Sequence, residues 1–193
     1  MDTRVKTNGR VAIMAHCLLN QNSKPYMRAR FPGVVWEILD ILRKYDLAII
    51  QMACPEVSFT GLNRFSSVIE QYDTPKYRAH CGDIARMVVD QIAQYPSYNY
   101  KTIVIGVDGS PSCGVDLTGT SKDWRGHPSS VKTEGYPVAE GRGVLMQELQ
   151  SEMESRGLSF YPAFGIGLDI HGINLKEIDS SFEAQLREHL KSF

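Results

Sequence analysis

No C-x-x-C pair occurs in the chain, and that absence removes several readings at once. Zinc ribbons, thioredoxin-type motifs and ferredoxin-type cysteine runs all depend on such a pair. Charge of one sign is also missing: 21 Lys and Arg stand against 22 Asp and Glu, a net of −1. A chain so near neutral carries no electrostatic footprint for nucleic acid or an anionic membrane, so neither is expected as a partner. Long apolar runs are absent too. The longest, Val11–Ala15, falls far short of the ~20 residues that span a bilayer. Residues 1–10 are polar and do not read as a secretory leader. No internal repeat or low-complexity tract is present. The expectation is a soluble cytoplasmic protein of one domain, residues 1–193, whose 42% hydrophobic content is enough for a sizeable core.

What is present is an alternation of two periodicities. Val11–Ala15, Leu47–Met52 and Thr102–Val107 read as buried strands, with Leu158–Tyr161 as a weaker fourth. Between them lie helical stripes. Val34 to Tyr45 follows an entry at Pro32, and Ile84, Met87, Val88 and Ile92 form a second stripe. Leu145, Leu149 and Met153 are closed by Gly157, and Leu175, Ile178, Phe182, Leu186 and Leu190 form the last. Strands alternating with helices predict an α/β fold: a Rossmann-like, open, mostly parallel sheet with helices on both faces. Residues 108–142 lack periodicity and hold Pro111, Pro128 and Pro137, which suggests a long functional loop.

Four cysteines remain to be placed. For a cysteine taken at random, burial as a small hydrophobe is the usual fate. Yet Cys17, Cys54 and Cys113 each follow the C-terminal end of a predicted strand, where open parallel sheets bind ligands. Adjacent strands lie only ~5 Å apart, so three thiols at that edge can converge despite their separation in sequence. Cys81 falls near the start of a helical stripe and is expected to be structural. Three thiolates suit a soft metal: zinc, copper(I) or an iron–sulfur cluster. A zinc site of three cysteines and one histidine is the rival, with His16, His80, His127, His171 and His189 available.

Cys17-Leu-Leu19 after the first strand, Cys54-Pro-Glu56 after the second and Ser110-Pro-Ser-Cys-Gly114 after the third resemble the TudS family of thiouracil desulfidases. The stretch Gly61-Leu-Asn-Arg64 keeps part of a family segment, while Asn20 stands where many members have Gly. The resemblance implies a [4Fe-4S] cluster held by Cys17, Cys54 and Cys113, with one iron not ligated by protein. It implies catalytic roles for Glu56 and Ser110. The substrate would be a small thio-compound, such as a thiouracil-like thio-nucleobase, losing its sulfur as sulfide by non-redox hydrolysis.

Each of these residues also has a plainer reading. Glu56, after Cys-Pro, could simply complement the dipole of a first helical turn. Ser110 and Ser112 flank Pro111 and could be turn formers. Ser112 and Arg64 are candidates for binding substrate, though Arg64 could be an ordinary solvated arginine. Trp124 and Tyr136 could stack on a planar ring or anchor their loop, and His171 could touch substrate or lie on the surface. The Gly-x-Gly sequences at 141–143 and 165–167 lack the full dinucleotide fingerprint and read as turns. Two other functions compete: a metal-free enzyme with Cys113 as nucleophile, and a non-catalytic module that only holds metal or a cluster.

Overall fold

The computed structural model describes residues 6–123, 137–168 and 175–191. Trp124, His127, Tyr136 and His171 lie outside these residues.

Strand β1 (Arg10–Met14) runs into a single helical turn, α1 (His16–Leu19), and a 3-10 turn at Gln21–Ser23. Helix α2 (Trp36–Lys44) leads to β2 (Ala48–Gln51). Three helices, α3 (Pro55–Thr60), α4 (Ile69–Tyr72) and α5 (Pro75–Ile92), fill the connection to β3 (Lys101–Val107). A short pair, β4 (Leu117–Gly119) and β5 (Val138–Glu140), precedes α6 (Val144–Ser155), β6 (Ala163–Ile166) and α7 (Leu175–Lys191).

The main sheet has the order β2-β1-β3-β6 and is parallel throughout. The crossover from β1 to β2 runs one way, and those from β2 to β3 and β3 to β6 run the other. Right-handed crossovers therefore set α2 on one face and α5 and α6 on the opposite face. Accordingly α5 packs against α6, and α2 meets α7. The order reverses between β1 and β3, the switch point at which ligands bind beyond the strand ends.

The two central strands are covered on both faces, which is why they are continuous apolar runs. Ala12, Ile13, Met14, Val104 and Ile105 are wholly buried. The second strand departs from expectation: β2 is a sheet edge, and Ile49 on it is 42% exposed. The weak fourth strand is corrected as well. Residues 158–162 are not a strand; β6 starts after Pro162, whose carbonyl accepts from the Val104 N–H at 2.8 Å. Helix α5 begins well before the Ile84 stripe. Thr74 caps it by accepting from the Tyr77 N–H at 3.3 Å, and Pro75 occupies its first turn.

The segment after β3 is built rather than loose. Asp108 Oδ1 accepts the backbone N–H groups of Val115 (2.9 Å), Asp116 (3.0 Å) and Leu117 (3.3 Å). The chain turns back so that the Val107 N–H donates to the Cys113 carbonyl at 2.8 Å. Two glycines facing each other across β3 and β6, Gly106 and Gly165, make room for this. A Cβ at Gly106 would sit 2.3 Å from the Cys113 carbonyl oxygen, and one at Gly165 would sit 2.1 Å from Asp108 Oδ2. Further on, β4 and β5 pair antiparallel within the stretch expected to be a loop. Among the described residues, no helix is long and apolar enough to cross a membrane.

Candidate active site

The sheet ends at Met14, and the Ala15 N–H bridges to the Ile105 carbonyl at 2.9 Å. The chain then makes one helical turn, which brings both His16 and Cys17 to the cleft, because strand alternation no longer applies there. Gln21, 1% exposed, fixes this turn: its Nε2 donates to the Cys17 carbonyl at 2.6 Å, and its Oε1 accepts from the Arg30 N–H at 3.1 Å. After β2, Cys54 occupies the N-cap position of α3, with Pro55 and Glu56 in the first turn. Glu56 thus lies in the first turn of a helix and also lines the cleft.

After β3, Ser110 Oγ accepts from the Cys113 N–H at 3.0 Å and from the Ser112 N–H at 3.3 Å. Its oxygen shapes the cysteine turn while its proton stays available to donate. Cys17, Cys54, Cys113, Glu56, Arg64 and Ser110 all line one cleft at the C-terminal edge of the sheet.

Glu56 is 8% exposed, and its carboxylate is held on both oxygens. Arg64 Nε donates to Oε2 at 3.1 Å, and Ser112 Oγ donates to Oε1 at 2.9 Å. Arg64 lies in the cleft wall, and it also donates from Nη2 to the Ser23 carbonyl at 2.8 Å and from Nη1 to that of Gly61 at 3.2 Å. Ser112 is fully buried and sits behind Glu56 rather than on the cleft surface, with the Tyr77 hydroxyl 2.7 Å from its Oγ. The two residues expected to touch substrate are thus found gripping the carboxylate.

Gln21, Tyr77 and Asp108 were missed by sequence reasoning. Tyr77 acts on Ser112 from 35 residues away, while Gln21 and Asp108 hold nearby backbone in turns that carry no recognisable local pattern. Cys81, on α5, is fully buried and lies outside the cleft lining, and burial pushes its thiol up to about 12.

Burial also pushes the Cys113 thiol well above its ordinary value, with Cys17, Cys54 and Glu56 adding to the effect. Burial and then Glu56 raise Cys54 in the same direction. A nucleophilic cysteine needs its thiolate favoured, and here the surroundings favour the thiol, which speaks against Cys113 as an unaided nucleophile. Among the described residues, no three His, Cys, Asp or Glu side chains close on a point where one ion would sit.

These raised values give a pH dependence. Folded thiol pKa values lie above the unfolded value of about 8.5, so the metal-free fold keeps this stability below that pH and loses it as pH rises through the folded values. Urea midpoints of the metal-free chain are expected to stay flat between about pH 7 and 8 and to fall above about pH 9. A rising midpoint across that window would contradict the assignment.

No protein-family model matches the chain. It is 32% identical over 145 residues to Uncharacterized protein MJ0003 of Methanocaldococcus jannaschii, a match covering 75% of this chain and 78% of that protein. It is also similar to a solved structure described as the [4Fe-4S]-dependent thiouracil desulfidase TudS. That match has a TM-score of 0.43 and 16% identity, over 91% of this chain and 99% of the other.

Proposed function

We propose, for a chain that belongs to the same family as the Methanocaldococcus jannaschii protein, that its cleft holds an iron–sulfur cluster and hydrolyses a thiocarbonyl compound. One observation carries the reading: three thiols from three strand ends share a single cleft with a buried, doubly held carboxylate. The likeness of these three motifs to those of the TudS desulfidases points the same way.

The donor set fits the group. Three cysteine sulfurs are soft ligands suited to iron–sulfur chemistry. A mononuclear zinc site would need its ligands to converge at bonds of about 2.0–2.3 Å, and the thiols are not arranged so. Irons of a cluster each take a separate thiolate, so its ligands need not meet at one point. Cys17, Cys54 and Cys113 would hold it. When bound, a cluster with one iron left open supplies a Lewis acid for the substrate sulfur and makes sulfide a better leaving group.

The chain supplies the rest. Arg64 and Ser112 fix the Glu56 carboxylate and leave each of its oxygens a further lone pair. Glu56 takes a proton from the attacking water as oxygen bonds to the thiocarbonyl carbon, and passes it to the departing sulfur as the carbon–sulfur bond breaks; the second proton of the water leaves the new hydroxyl as C=O forms and ends on the same sulfur. Ser110, its oxygen already accepting two N–H groups, donates its proton to the water or the substrate. In sum, C=S and water give C=O and hydrogen sulfide, with no net electron transfer. A planar thio-nucleobase is the first substrate to test.

The deciding measurement is iron and acid-labile sulfide after anaerobic reconstitution, with each cysteine replaced by serine in turn. The expected result is about four irons per chain, lost in the Cys17, Cys54 and Cys113 variants and kept in Cys81→Ser. Zinc, or no metal, in the unmodified chain would overturn the proposal.

A further inference from the structure

We infer that Tyr77 is a positioning residue for the Glu56 carboxylate, acting through Ser112. The inference deepens the reading above and rests on it for the role of Glu56. Its own footing is a one-way hydrogen-bonded chain that joins α5, the Cys113 turn and the first turn of α3.

The direction of that chain follows from proton counting. Ser112 has one hydroxyl proton, and a carboxylate can only accept, so Ser112 Oγ donates to Glu56 Oε1 across 2.9 Å. The hydrogen bond of 2.7 Å between Ser112 Oγ and the Tyr77 hydroxyl must then carry the proton of Tyr77. Both residues are fully buried. The Tyr77 ring has little freedom to turn away: it stacks on Tyr72 at 4.6 Å and 28°, and Phe59 meets it edge-on at 5.1 Å. Burial, with Glu56 nearby, pushes the phenol well above its ordinary value, so it remains a donor.

Without the Tyr77 hydroxyl, Ser112 loses the donor that orients it, and Oε1 of Glu56 loses a fixed partner. Arg64 would still hold Oε2. The carboxylate would stay in the cleft with one of its two restraints loosened. Buried chains of this kind strengthen each other, so removing one link weakens the next. Phenylalanine at position 77 fills the same ring volume and removes only the link.

The test uses Tyr77→Phe, Ser112→Ala and the double variant in the full chain. On the metal-free chain, the Glu56 carboxylate stretch is identified by infrared difference against Glu56→Gln. The expected result is a shifted band in Tyr77→Phe and the same band in Ser112→Ala and the double variant. On the reconstituted chain, kcat is expected to fall about tenfold, the effect of one such hydrogen bond, with KM and iron content unchanged. The double variant should fall no further than Ser112→Ala alone. An unmoved carboxylate band in Tyr77→Phe would overturn the inference, whatever the unfolding midpoint does, and so would effects on kcat that multiply. Absence of desulfidase activity in the unmodified chain would instead overturn the reading it rests on, and the infrared comparison would still decide the role of Tyr77.

Discussion

Glu56→Gln, assayed on the iron-loaded chain, is expected to release sulfide about 10²- to 10⁴-fold more slowly, the usual span for losing a general base. The substitution is nearly isosteric. Arg64 Nε can still donate to the amide oxygen, so the α3 turn and the link to Ser23 stay in place. What disappears is the only carboxylate among the described cleft residues. Water then has no base beside the thiocarbonyl carbon, and the departing sulfur has no source for its proton. Iron content should be unchanged, because Cys17, Cys54 and Cys113 are untouched. That combination, full iron and little sulfide, separates an enzyme from a module that only carries metal. A rate within about twofold of the unmodified chain, less than 0.5 kcal/mol of barrier, would remove Glu56 from the chemistry.

Arg64→Met is expected to lower the free energy of unfolding by about 3–5 kcal/mol, the usual result of stranding one member of a buried pair. Glu56 would be left charged at 8% exposure with Ser112 as its remaining donor. Two further hydrogen bonds would go, to the carbonyls of Ser23 and Gly61, and with them the tie between the Cys17 segment and the loop after α3. Burial alone would lower the Arg64 pKa, but Glu56 and Cys54 beside it raise the net value, so the guanidinium stays charged. Adding Glu56→Gln to Arg64→Met should recover most of the loss, because the stranded charge is then gone. Chemical denaturation of the four chains measures this. A loss below about 1 kcal/mol for the single variant would class the pair with exposed ion pairs.

The parts of this molecule that were legible in its sequence are those set by the sheet. β1 and β3 are covered on both faces, so each is an unbroken apolar run that can be read directly. Once the strands are placed, parallel topology carries the ends of three of them, and the cysteines just beyond, to one edge. β6 was harder: it is short, contains Gly165, and follows Pro162, so the apolar residues 158–161 drew attention instead. β4 and β5 pair over three residues each, too few for alternation to register. The polar network was invisible for a different reason. Tyr77 and Ser112 are 35 residues apart, and neither carries a local signal of the other. Arg64 and Ser112 were noticed for their types, but their partner is Glu56, which only the folded chain reveals.

Gly165 and Asp108 have a consequence for what the chain can become over generations. Any side chain at 165 would occupy the space of the Asp108 carboxylate, 2.1 Å from where a Cβ would stand. Aspartate is already the shortest acid, so no milder acid exists to make room. A side chain without an acceptor oxygen there would orphan the N–H groups of Val115, Asp116 and Leu117 that Asp108 gathers. Asparagine is the nearest replacement that keeps an acceptor oxygen at 108, and being the same size it frees no room at 165. Descendants of this chain that keep the Cys113 turn should hold both residues as a locked pair, while residues on the exposed edge strand drift freely around them.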